Sequence, residues 1–155
     1  MKKIALDLDG VVFDSENLYR VYTEIYDTDN NKKDTIIDNS QRIFQKRYNW
    51  TQEEFQKFYN DNAEKVLNSA NIMTGADIVL NKLKDKFEFI VVTSRNDFET
   101  EIAKKKFKEL RLENIKIFNN EHHKIDRLIE ENVDYIIDDD NIICINAADN
   151  NVCAL

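Results

Sequence analysis

Four groups of side chains in this 155-residue sequence are of the right types to act on one ligand. They are the acidic pair Asp7 and Asp9, the hydroxyls Thr93 and Ser94, the lone Lys124, and the acidic pair Asp138 and Asp139. Brought together, those carboxylates repel and raise one another's pKa. A hard divalent cation resolves the conflict. Mg²⁺ prefers oxygen ligands and typically binds through one or two carboxylates, waters and a substrate phosphate. Lys124 then offers a point charge, and Thr93 a short hydrogen-bond donor, to the oxygens of a phosphoryl group. Two chemistries are open to the Asp7/Asp9 pair. One carboxylate can attack phosphorus, and the other can protonate the leaving oxygen and later activate water.

These residues meet only if the segments carrying them end on one edge. Short apolar runs at Lys3–Leu8, Phe87–Thr93, Ile115–Phe118 and Tyr135–Ile137 read as strands, with Val152–Leu155 as a last short one. Phe87–Thr93 reads as a continuous β-branched and aromatic run, as in a strand buried on both faces. Helical patterns lie between the runs. Ala76–Lys86 carries Ile78, Val79, Leu80 and Leu83; Phe98–Leu110 carries Ala103, Phe107 and Leu110; Ile125, Leu128 and Ile129 mark a third. The alternation predicts an α/β fold, a Rossmann-like parallel sheet flanked by helices, with ligands at the carboxyl ends of its strands.

One interval breaks the alternation. Residues 14–73 contain no strand pattern and read as a small helical insert, leaving 1–13 and 74–155 as the α/β core. Leu18, Val21, Tyr22 and Ile25 fit one helix face. Asp27–Asp34 is polar and reads as a turn or loop. Thr51 with Glu54 forms a capping box opening a helix with Phe55, Phe58, Tyr59, Val66 and Leu67. The insert is rich in aromatics, including Trp50, Tyr19, Tyr22, Tyr26, Phe44 and Tyr48. They suit the core of a small helical unit, and a nucleobase can also stack on such rings.

Composition narrows the partners. A formal charge of −8 argues against a nucleic-acid polymer as ligand but admits a small phosphorylated metabolite whose charge a metal offsets. No apolar run approaches a membrane span, and the opening residues show no signal-peptide pattern, so the cytoplasm is the expected compartment. Cys144 and Cys153 lie outside any zinc-type or C-x-x-C spacing and read as small core residues. Asparagine is frequent, which reads as coding bias.

The segment Asp7-Leu8-Asp9-Gly10-Val11-Val12 resembles the first motif of the haloacid dehalogenase superfamily of phosphohydrolases. Val91-Val92-Thr93-Ser94 resembles the second, Lys124 the third, and Ile136-Ile137-Asp138-Asp139 the fourth. Thr93-Ser94-Arg95 and the compact layout look most like the 5′(3′)-deoxyribonucleotidases and related bacterial nucleotidases. The resemblance implies an Asp7 nucleophile, an Asp9 acid/base, and a helical cap made by the insert. Mg²⁺ would be held by Asp7, by Asp9 through its backbone carbonyl, and by Asp139, with Asp138 acting directly or through a water. Thr93, Ser94, Arg95 and Lys124 would bind substrate, with Thr93 and Lys124 on the transferring phosphoryl group. The substrate implied is a nucleoside or deoxynucleoside monophosphate; a small sugar phosphate, or phospho-ligand binding without catalysis, are the alternatives. Two departures stand out. The tail after Asp139 is short for a final helix and strand, and the chain has no proline.

Plainer roles compete at several positions. Thr93 and Ser94 also suit a helix N-cap, Arg95 a surface site, and Lys124 a surface lysine like Lys104, Lys105, Lys106 and Lys108. His122 and His123 read as a polar loop, because Mg²⁺ does not select imidazole.

Overall fold

In the computed structural model, which describes residues 1–41 and 44–155, the chain divides into two compact units. One comprises Met1–Ser15 and Ala70–Leu155, the other Glu16–Ser69. In chain order the elements are β1 (Lys2–Leu6), α1 (Ser15–Asp29), α2 (Phe44–Arg47), α3 (Gln52–Ser69), α4 (Ala76–Leu83), β2 (Phe87–Val92), α5 (Asp97–Glu109), β3 (Lys116–Phe118), α6 (Lys124–Glu130), β4 (Tyr135–Ile137), α7 (Asn141–Asp149) and β5 (Cys153–Ala154). The side chain of Phe44 lies outside the described residues. No described helix is long and apolar enough to cross a membrane.

The first unit is an α/β layer structure. Its strands form a parallel sheet in the order β3-β2-β1-β4-β5. β1 is flanked by β2 on one side and β4 on the other, so the chain reverses its direction of travel across the sheet at the β1/β4 boundary. Ligands of open α/β sheets bind at such a switch point, beyond the carboxyl ends of the strands. Ala5, Ile90, Val92 and Ile136 join Leu128, Val133, Ala147 and Val152 in the buried core that holds this edge rigid. The short tail suffices for both of its elements, since α7 needs nine residues and β5 two.

The helices end by a device suited to a chain with only two glycines. Asn31, Arg111, Asn132 and Asn151 adopt positive φ (52–61°) just past α1, α5, α6 and α7. Behind each, an amide reaches back five residues to a helix carbonyl: Lys32 to Asp27, Leu112 to Phe107, Val133 to Leu128 and Val152 to Ala147, at 2.8–2.9 Å. These are Schellman closures, and asparagine is the non-glycine residue that best tolerates the left-handed site. Asn31, Asn132 and Asn151 therefore have structural work at three helix ends. The same closure carries α1 through Asp29, into the stretch expected to be loop.

The second unit is helical, with a core made of its aromatics. Trp50 lies 4.7 Å from Tyr26, 4.9 Å from Tyr48 and 5.1 Å from Phe58, centroid to centroid. The Trp50 indole N–H donates to Asp27 at 2.8 Å, and the Tyr48 and Thr23 hydroxyls are 2.9 Å apart. The capping box at α3 forms: Thr51 N donates to Glu54 at 2.8 Å, and Glu54 N to the Thr51 hydroxyl at 3.2 Å. Val21 and Ile25, which share one face of α1, are about half exposed. Cys153 is exposed and Cys144 partly buried, so Cys153 is not the core residue expected. Position on the two-residue edge strand β5 leaves its side chain in solvent.

Candidate active site

The ladders that build the sheet continue one residue past the strands and carry the site residues with them. Asp7 N donates to Ile137 O and Thr93 N to Phe118 O, each at 3.0 Å. Asp7 therefore stands at the β1/β4 switch point beside Asp138. Both are buried, as is Thr93. Lys124 opens α6, where a cation faces the unfavourable end of the helix dipole. Its compensation is elsewhere: its ammonium lies 3.0 Å from Asp7 and 2.7 Å from Asp138. The loop before it is tied to the second strand end, with Glu121 N on Thr93 O at 3.0 Å and Asn120 N on Arg95 O at 2.8 Å.

The three consecutive aspartates separate by function. Asp138 accepts from Lys124 with one oxygen and from Asp140 N, at 2.8 Å, with the other. Asp140 caps α7 by accepting from Ile142 N at 2.8 Å. Asp139 is exposed, and carboxylate oxygens of Asp7, Asp138 and Asp139 lie within 4.8 Å of one another. Gly10 makes room for it. Gly10 has φ +80°, and a Cβ there would meet the Asp139 carboxylate at 2.5 Å. An all-oxygen donor set of this kind fits a hard cation such as Mg²⁺ or Ca²⁺ and not a thiophilic metal.

The Asp9 side chain is outside that cluster. It accepts from Arg95 Nε at 2.9 Å and Arg95 Nη2 at 2.6 Å, and from the Ser15 hydroxyl. Arg95, at 4% side-chain exposure, is not a surface residue. Ser94 is exposed at the mouth of the β2–α5 loop. The cap of α5 is neither Thr93 nor Ser94 but Asn96, in a reciprocal box with Glu99. Lys106, expected at the surface, is half-buried, donates to Ala70 O and lies 5.3 Å from the Phe13 ring centroid. His122 and His123 are exposed in the loop before α6.

No family model matches the chain. A Halalkalibacterium halodurans protein carrying the name "putative nucleotidase" is 28% identical over 148 residues, covering 93% of this chain and 73% of that one. A Streptococcus pneumoniae hydrolase described as haloacid dehalogenase-like superposes with TM-score 0.73 at 16% identity, over 99% of this chain and 83% of its own. The chain has the haloacid dehalogenase fold. A Clostridium acetobutylicum protein described as a "predicted phosphatase" shares it (TM-score 0.71, 19% identity, 99% and 82% coverage). So does a Deinococcus radiodurans hydrolase, solved with bound phosphate and sodium (TM-score 0.67, 13% identity, 99% and 78% coverage).

In this haloacid dehalogenase fold the electrostatics divide the first motif. Burial pushes the Asp7 carboxyl up to about 6; the Asp138 and Asp9 charges add to the effect, and Lys124 opposes it. Burial also works to raise Asp9, but the Arg95 hydrogen bonds and charge, with the Ser15 hydroxyl, outweigh it and hold that carboxyl below the usual range. Burial works to lower Lys124, and the Asp7 and Asp138 charges reverse the sign and raise it. With only Leu8 between them, the two acids thus sit in opposite environments, and in the free protein Asp7 takes up a proton at a higher pH than Asp9.

The Asp7 shift has a consequence for stability. Between about pH 4 and pH 6 the folded state holds a proton at Asp7 that the unfolded chain has released. The Asp7 contribution to stability therefore falls as pH rises through that window, by on the order of 3 kcal/mol. In chelator, thermal unfolding of the native protein and of Asp7→Asn should diverge from pH 4 to pH 7, the variant becoming the more stable. Addition of Mg²⁺ should close the gap by stabilising the native protein alone. Parallel melting curves across that range would contradict the electrostatic account.

Proposed function

We propose that the protein is a Mg²⁺-dependent phosphomonoester hydrolase that works through an aspartyl-phosphate and acts on a nucleoside or deoxynucleoside monophosphate. The observation that carries the proposal is the meeting of Asp7, Asp138, Asp139 and Lys124 at the sheet's switch point. The haloacid dehalogenase fold supports it, and the nucleotidase name of the H. halodurans relative supports the substrate class.

The residues divide the reaction as follows. Asp7 Oδ attacks phosphorus, forming the O–P bond as the bond to the leaving oxygen breaks, and that oxygen is protonated by Asp9, which must first take up a proton because Arg95 and Ser15 hold its carboxyl ionised in the free protein. Water then attacks the acyl phosphate, its proton passing to Asp9 as the Asp7–phosphorus bond breaks and inorganic phosphate leaves. Lys124 and Thr93 hold the transferring phosphoryl oxygens, Ser94 assists binding, and Arg95 acts beside Asp9. Asp7, Asp139 and the Asp9 backbone carbonyl, with Asp138 directly or through a water, would hold Mg²⁺, which would supply charge neutralisation for those oxygens. Fixed positive charge aimed at developing negative charge is the largest source of acceleration in such sites.

The test is phosphate release from a panel of nucleoside monophosphates and sugar phosphates, with Mg²⁺ and with chelator. Release should require the metal and be fastest for a nucleotide. No release from any member at any Mg²⁺ concentration would leave a phospho-ligand-binding protein in place of an enzyme.

A further inference from the structure

We infer that Arg95 is a positioning residue, which fixes the direction in which the Asp9 carboxylate is presented. The inference rests on the acid/base role proposed for Asp9 and assigns a further residue to that step.

The geometry is that of a clamp. Nε and Nη2 of one guanidinium face take the two oxygens of Asp9 at 2.9 and 2.6 Å, and the Ser15 hydroxyl adds a third donor on Oδ1. A forked pair of this kind restricts the rotation of the carboxylate, which a single ammonium contact does not. Arg95 is itself held. Its guanidinium carbon lies 5.7 Å from the Phe13 ring centroid, its carbonyl accepts from Asn120 N at 2.8 Å, and its amide donates to the Thr93 hydroxyl at 3.3 Å. The next residue, Asn96, is locked in the α5 capping box. A buried guanidinium is costly without a partner, so the pair is retained as a unit.

Misplacing a catalytic group by an ångström costs about 10²-fold in rate. That loss should fall on the step Asp9 serves, protonation of the leaving oxygen, and so should grow as the leaving group becomes more basic. The experiment measures kcat/KM with Mg²⁺ over phosphate monoesters running from p-nitrophenyl through phenyl to alkyl. Arg95→Met should steepen the dependence on leaving-group pKa, losing about 10²-fold on the alkyl ester and clearly less on the p-nitrophenyl ester. Arg95→Lys, which keeps charge and loses the fork, should fall between, and so should Ser15→Ala. Circular dichroism confirms that each variant is folded; if Arg95→Met is not, the Arg95→Lys and Ser15→Ala slopes carry the test.

Asp9→Asn separates the two possible failures. If it steepens the dependence and the folded Arg95 variants do not, or if they lose the same factor on every ester, the positioning role is wrong and the proposed function stands. If Asp9→Asn leaves the slope unchanged, the acid/base role and the positioning role fall together.

Discussion

Asp7→Asn should abolish phosphate release from every substrate while leaving the protein folded. The amide has the shape of the carboxylate but no nucleophilic oxygen, so the covalent step has no substitute nearby. Asp138 is committed to Lys124 and to the Asp140 amide, and Asp9 to Arg95 and Ser15. Removing a covalent nucleophile from a working constellation lowers kcat by about 10⁴-fold or more. The variant is also structurally mild, because it deletes a charge that burial disfavours and that stands beside a second buried acid. Loss of activity with retained circular dichroism, together with a higher melting temperature in chelator above pH 6, would mark a chemical defect. Turnover near the native rate in a folded Asp7→Asn protein would overturn the aspartyl-phosphate mechanism.

The parts of this arrangement that could be read from the sequence are those set by burial on a parallel sheet. Strands covered on both faces must be apolar throughout, so Phe89–Val92 and Tyr135–Ile137 stand out as uninterrupted runs. An acid immediately after such a run has one place to go, the carboxyl edge of the sheet. That is why Asp7 and Asp138 meet, although 131 positions separate them. Lys124 could be read for a related reason, from its place in the loop region after the third strand run.

What escaped the sequence depends on loop geometry, which residue type alone does not carry. Arg95 follows Thr93-Ser94 and has the reach to bind a phosphate, but its direction is set by the turn that Asn96 and Asn120 define. Ser15 looks like an ordinary first helical residue, and nothing local marks its hydroxyl as a partner of Asp9. Gly10 belongs to a motif, yet the reason no side chain fits there is the carboxylate of Asp139, far along the chain. The end of α1 differs from the expected loop because the usual stop signal, glycine, is replaced there by Asn31 at positive φ.

Lys124→Met should be the most damaging substitution for stability, and its cost should depend on pH. Lys124 is the cation that both Asp7 and Asp138 contact. Removing one partner of a buried ionic group typically costs 3–5 kcal/mol, roughly, because the remaining charge is left in low dielectric. Here the cost has an outlet. Asp7 already sits near 6 with the lysine present, and without it the carboxyl moves higher and takes up a proton more readily. The variant should therefore lose little stability at pH 5 and most at pH 8, where Asp7 can no longer be neutralised cheaply. Mg²⁺ should recover part of the loss at pH 8, since a cation among the same carboxylates replaces the missing charge. Activity should not recover with it. The metal offsets the acids, whereas Lys124 is also proposed to hold the transferring phosphoryl group, and loss of such a donor lowers kcat by about 10²–10³-fold. Thermal melts at the two pH values with and without Mg²⁺, set beside phosphate release, separate the two effects. A pH-independent cost, or full recovery of activity on adding metal, would mean that Lys124 is merely a counter-charge and takes no part in holding phosphate.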